Sequence, residues 1–294
     1  MSAHAEFLQD LELATQLKTD FRKARISQRD MRMLEFVEKL TKFPWLLVET
    51  DVRMLRQAGF SDVEILHIVL GSAHFNYLNR MADGIGIKFE YKTDIPAFKV
   101  PAGNSEAPDS YSTSPAQAST KNQPAQGTIA WISFPGQQEA DRRGEGPQNL
   151  FRVMGGNPEA RDLAREWWAY QLKATPHLDA RLRARIALFI SGLNHCDYSI
   201  HCYRRELVRM GEDRTVLDQL SSGKEPDKFS SLEKLMYEHS SRLTREPWTT
   251  QEEHIKQLRT AGMDDTSILQ LTMLASYLSF ENRVVLGLGA PLEQ

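Results

Sequence analysis

The chain has 294 residues, a formal net charge of −3, 41% hydrophobic and 26% charged residues, the make-up of a globular chain with one large or two modest domains. A sequence pI near 6.3 excludes any global electrostatic pull toward nucleic acid or an anionic membrane. Two cysteines six apart make no disulfide framework, no apolar run reaches the ~18 residues of a spanning helix, and MSAHAEFLQDLELATQ lacks a signal-peptide layout, so a reducing, cytoplasmic location is expected.

The first apolar helical pattern runs through Phe7, Leu8, Leu11, Leu13 and Leu17. Ser27 is placed to cap a second helix carrying Met31, Leu34, Val37 and Leu40, which Pro44 stops. Thr50 or Asp51 opens a third, closed by Gly59. Ser61 and Glu64 form a capping box before a long helix that is apolar on most sides and is therefore expected to be buried. Residues 93–127 are rich in Pro, Ser, Ala, Gly and Gln, which predicts a linker; an ordered extended strap is the alternative. Pro158, capped by Asn157, starts a helix that should reach Leu172 and includes Trp167 and Trp168. A helix beginning near His177–Asp179 carries Ile186 to Ile190, a cysteine-bearing helix follows, and three more close the chain. Almost no period-2 pattern occurs, so the predicted class is all-α.

Residues 40–86 repeat as 243–289 without a gap, at a shift of 203. Leu40, Pro44 and Trp45 fall on Leu243, Pro247 and Trp248, and Asn79, Arg80, Gly84 and Gly86 fall on Asn282, Arg283, Gly287 and Gly289. The same shift carries Cys196 before the first residue, so the first copy has no cysteine helix. This divides the chain into a truncated half repeat (1–92), the linker (93–127) and a complete unit (128–294). The half copy is expected to be structural, packing on the complete one as one subunit of a homodimer packs on another.

The stretches ISFPGQ and LRARIALFISGLNHCDYS, with the paired tails FNYLNRMADGIGI and LSFENRVVLGLGA, make the complete unit, and 30–92 of the half copy, resemble the alkylhydroperoxidase D / carboxymuconolactone decarboxylase superfamily, in particular its peroxidase-related members. That resemblance implies an alkylhydroperoxidase D-like helical bundle and a homo-oligomer. It also implies a redox site made of a glutamate, a Cys-x-x-Cys pair and a histidine. Set on this sequence, those positions are Ala184, Cys196, Ser199 and Tyr203, so one of the four keeps its family residue. A serine cannot replace the peroxide-attacking thiol of a dithiol cycle.

The residues themselves single out Cys196, Ser199 and Tyr203, which share a helix face at i, i+3 and i+7. With Asn194 as N-cap, Cys196 would lie in the first helical turn, where free N–H groups and the helix dipole favour thiolate; Asp197 opposes this. The other reading of Cys196 is a small buried hydrophobe. Cys202 lies ~120° round and ~9 Å along the helix, too far for a disulfide, and reads as a buried structural thiol. His195 and His201 have the wrong spacing for a helical metal pair, His74 reads as a core histidine, and no metal or cofactor is expected. The Asn-Arg pairs are read as structural at a helix interface, and the Gly-x-Gly pairs as helix ends. Three functions fit: hydroperoxide reduction through Cys196 with an external thiol reductant; a non-redox enzyme of the lactone decarboxylase kind, with Tyr203, His195 or His201 as base; or a non-catalytic helical scaffold. Neither nucleic acid nor membrane is expected as a partner.

Overall fold

The computed structural model describes residues 8–87, 130–134, 148–174, 176–226 and 228–293; the expected linker at 93–127 lies outside them. The helices are α1 (Leu11–Asp20), α2 (Gln28–Lys42), α3 (Glu49–Gln57), α4 (Asp62–Ile85), α5 (Gln148–Arg152), α6 (Pro158–Ala169), α7 (Ala180–Leu193), α8 (Asp197–Arg209), α9 (Arg214–Ser221), α10 (Ser231–Arg245), α11 (Glu252–Thr260) and α12 (Asp265–Leu288). No strand occurs among the described residues, and the fold is all-α. No helix among them is long and apolar enough to cross a membrane.

Local signals set most of these bounds. The Ser27 hydroxyl accepts from Asp30 N, and Ser61 with Glu64 closes the expected capping box. The helix begun at Pro158 ends its α-helical part at Ala169, short of the expected Leu172. It passes into a π-helical segment, Tyr170–Ala174, whose Gln171 and Leu172 are buried. A wider turn at that point lets the chain keep its hydrogen bonding while reorienting toward α7.

The repeat is expressed element by element. α2, α3 and α4 have the bounds of α10, α11 and α12 displaced by 203, as do the 3-10 turns Pro44–Leu46 and Pro247–Thr249. Gly86 and Gly289 end α4 and α12 in matching left-handed geometry, φ 68° and 66°. The correspondence reaches further back than the sequence match, because Asp10 caps α1 as Asp213 caps α9.

The two halves meet where α4 packs against α12. A Cβ on Gly84 would lie 2.5 Å from Thr272 Cγ2 and 3.0 Å from Leu243 Cδ2; one on Gly287 would meet Leu40 and Val69 at 3.1 Å. Leu40 and Val69 are the repeat equivalents of Leu243 and Thr272, so the contact is reciprocal, as across a two-fold axis. Both glycines therefore serve close approach inside their helices, and the residues that end the helices are Gly86 and Gly289.

The expectation that α4 is buried on most sides fails: Leu78 is 41% exposed and Ile85 43%. The equivalent positions on α12, Glu281 and Leu288, are 1% and 0% exposed. α7 packs on α12, and α8 sets Ser199 and Tyr203 on Glu281; no second pair of this kind lies over α4 among the described residues.

α7 is held against α9 at Gly192. A Cβ there would come within 2.5 Å of Gly223 N and Leu220 O and 2.8 Å of Ser221 O, all backbone atoms. Backbone cannot rotate away as a side chain can, so Gly192→Ala should destabilise the fold by roughly 2–3 kcal/mol, read by urea unfolding. A loss under about 0.5 kcal/mol would show that this approach is looser than it looks.

Candidate active site

The chain reaches the cysteine helix through a tight reversal. His195 N donates to Gly192 O at 3.1 Å and Cys196 N to Ser191 O at 2.9 Å, the paired bonds that close a helix end of the Schellman type. The left-handed residue in such an end is usually glycine; here it is His195, at φ 48°. Its ring packs edge-on against Trp45 of the N-terminal half, centroids 5.3 Å apart. Burial lowers the His195 pKa, and Arg245 adds to the fall.

Asn194 is therefore the C-cap of α7, not the N-cap of α8. The N-cap is Cys196 itself, which makes no side-chain capping bond and whose own N–H is committed to Ser191. The expected thiolate-favouring position in the first turn is thus not occupied. Burial decides the outcome: Cys196 is 0% exposed, and desolvation pushes its thiol up to about 12, with the charges of Glu281 and Asp197 adding to the rise.

Cys196, Ser199 and Tyr203 do share one buried face, and that face is laid against Glu281 of α12. The Cys196 thiol donates to Ser199 Oγ at 3.5 Å, and Ser199 Oγ donates to Glu281 Oε1 at 3.0 Å. The Tyr203 hydroxyl lies 2.9 Å and 2.8 Å from the two carboxylate oxygens, and Tyr277, one turn earlier on α12, also faces the carboxylate. Glu281 is 1% exposed, and no arginine or lysine pairs with it among the described residues. Desolvation raises its carboxyl to about 7, against the pull of hydrogen bonds from Tyr203 and Ser199. Burial first and the Glu281 charge second raise the Tyr203 hydroxyl well above the ordinary phenol range.

The remaining candidates stand apart from this network. Cys202 is a free thiol, only partly buried, and raised by burial and then by the Glu293 charge. Neither His195 nor His201 hydrogen-bonds the cluster. Trp168 is buried, while Trp167 is partly buried among Tyr77, Tyr277 and Phe280. Ala184 is buried on α7 and brings no acid.

Glu281 is the residue that sequence reasoning missed. Its signal was present: it is the one carboxylate between Thr266 and Leu288, in a helix buried along most of its length, and the repeat sets it on Leu78. An acid introduced into one copy of a buried helix costs several kcal/mol unless something uses or satisfies it.

Among solved structures, the chain is similar to an uncharacterized peroxidase-related protein from Silicibacter sp. TM1040, at 18% identity over 47% of this chain and 72% of that one, with a TM-score of 0.45. No protein-family model matches the chain, and no curated protein matches it. The chemistry of the site rests on the geometry above.

The raised Glu281 carboxyl has a consequence for stability. Between pH 4.5 and 7 the folded state holds a proton that the unfolded state has released. Its stabilisation is complete below 4.5 and is lost as pH rises through 7, by roughly 3 kcal/mol. Glu281→Gln should remove this dependence, so that its stability relative to the wild type climbs from pH 4.5 to 7 and then levels. Parallel urea curves across that range would show a carboxyl with an ordinary pKa.

Proposed function

We propose that the chain is a peroxidase-related, thiol-dependent enzyme in which Cys196 reduces a hydroperoxide while Glu281 moves the proton through Ser199. The observation that carries this reading is the bridge at Ser199, whose hydroxyl accepts from the Cys196 thiol and donates to the Glu281 carboxylate. The resemblance expects a second thiol and a histidine at 199 and 203; Ser199 and Tyr203 instead make a hydrogen-bonded cradle for a carboxylate from another helix. Erosion of a site leaves apolar filling; this one has polar groups that satisfy one another.

The thiol is protonated at neutral pH, so its proton leaves during attack rather than before it. The sulfur attacks the terminal peroxide oxygen as the O–O bond breaks. Ser199 passes the thiol proton to Glu281 and a proton returns to the departing alkoxide, giving a sulfenic acid and an alcohol. Ser199 cannot resolve the sulfenic acid, so an external thiol condenses with it, releasing water. A second external thiol then frees Cys196 and leaves as a disulfide. The half copy is structural in this reading. The homo-oligomer expected from the resemblance would use faces other than the α4–α12 seam, which is filled within one chain.

A second reading, a non-redox acid–base enzyme of the lactone decarboxylase kind, is favoured by one contrast. Glu281 sits near 7, suited to proton transfer at neutral pH, while Cys196 is pushed up to about 12. Here Glu281 replaces the tyrosine and histidines as the base.

Treatment of the whole chain with an organic hydroperoxide and a sulfenic-acid trap should label Cys196 and spare Cys202. Ser199→Ala and Glu281→Gln should each slow that labelling by about 100-fold. Equal, slow labelling of both cysteines would sink the thiol reading. Turnover of a lactone acid that survives Cys196→Ser but not Glu281→Gln would establish the acid–base one. No turnover of either substrate would leave the fold as a scaffold.

A further inference from the structure

The seam between α4 and α12 buries two arginines, and one acid among the described residues, Asp83, acts on the pair. Arg80 is 5% exposed and Arg283 2%. They are repeat equivalents with reciprocal bonds. Arg80 Nη1 donates to Asn76 O at 2.9 Å and Nη2 to Thr244 O at 3.1 Å. Arg283 Nη1 donates to Ser279 O at 2.9 Å and Nη2 to Thr41 O at 2.7 Å. Each side chain thus leans back one turn toward the middle of the crossing. They converge there: Asn76, which carries Arg80, also donates from Nδ2 to Thr41 Oγ1 at 3.1 Å, and Thr41 carries Arg283.

Each guanidinium leaves its Nε–H buried and without an acceptor. Arg80 feels one acid, Asp83. The repeat puts Leu286 in Asp83's place, and the charge that acts on Arg283 is the like charge of Arg80. Burial presses both guanidiniums below their usual range, Arg80 to about 10, and for Arg283 the repulsion of Arg80 adds to it. Arginine stays protonated in proteins, so the cost is relieved by a counter-charge and not by loss of a proton. Buried charges are paired or they are expensive.

We infer that a small inorganic anion of halide type binds on the pseudo-two-fold axis, between the Nε–H groups of Arg80 and Arg283. A monatomic ion is favoured over a polyatomic one because the helices approach to glycine distance at Gly84 and Gly287, one turn from the arginines. The ion would fasten the two halves of the chain together. It is independent of the thiol site: Glu281 lies two residues from Arg283 along α12, on another face of the helix.

Crystals of the full chain grown or soaked in bromide should show an anomalous peak within hydrogen-bond reach of both Nε atoms. In solution, replacing sodium gluconate by sodium chloride at constant ionic strength should raise the melting temperature by roughly 2–4 °C and then saturate. Arg283→Met should abolish the chloride response; where that variant does not fold, the bromide peak decides alone. A water or empty density at the axis, or equal melting in the two salts, would overturn the proposal.

Discussion

The seam between α4 and α12 is the contact on which the rest of the molecule depends. Each helix brings a glycine to the place where the other presents a branched or aliphatic side chain, and each sends an arginine to a backbone carbonyl in the last turn of the partner half's second helix. These bonds do more than join helices. Thr41 and Thr244 sit near the ends of α2 and α10, so the clasp fixes where those helices stop relative to the seam. Net gain from hydrogen bonds to charged groups is about 1.5–3 kcal/mol each. Removing one arginine would also strand the carbonyl it satisfies. The arrangement is strong because it is doubled by symmetry, and costly because it gathers like charge.

The site inherits its geometry from this seam. α12 is pinned on one side by α4, which leaves another face for α7 and α8. Glu281 projects into that second contact, and α8 arrives with its Cys196–Ser199–Tyr203 face already aligned by helical spacing. The entry angle of α8 is set by the left-handed turn at His195, and the edge of Trp45 braces that turn from the N-terminal half. A residue far from the sulfur in sequence thus supports the loop that presents it. Burial then does the electrostatic work. The same desolvation raises the acid and the thiol, but their ordinary values differ, so one lands near neutrality and the other far above it.

Much of the scaffold was legible in the sequence because its signals are local. Ser27, Ser61 with Glu64, Asn157 before Pro158, and Gly86 each act within one turn, and the structure uses them as caps and ends. The repeat was legible because glycine and proline tolerate little substitution where a backbone demands them. Asn194 was misread because asparagine serves both as N-cap and in helix C-terminal turns, and only the hydrogen bonds of His195 and Cys196 to Gly192 and Ser191 separate the two. Glu281 was missed because its partners, Ser199 and Tyr203, lie about 80 residues away in sequence. Nothing in a helical period records which other helix a given face will meet.

The difference between the copies reflects what covers each long helix. Leu78 and Glu281 occupy equivalent places, yet leucine stands at the half-exposed one and glutamate at the buried one, the reverse of what burial alone favours. A carboxylate is sustained at the buried place because two hydroxyls of α8 donate to it. On α4, with no such donors among the described residues, a carboxylate would gain nothing from its neighbours. The acid and the cysteine helix therefore form a unit: without α8, Glu281 would be an unsatisfied charge, and without Glu281, Ser199 and Tyr203 would be buried hydroxyls lacking their acceptor. Either loss costs about 1–3 kcal/mol for each group left unpaired, more for the charge. That mutual dependence ties the candidate site to one half of the chain.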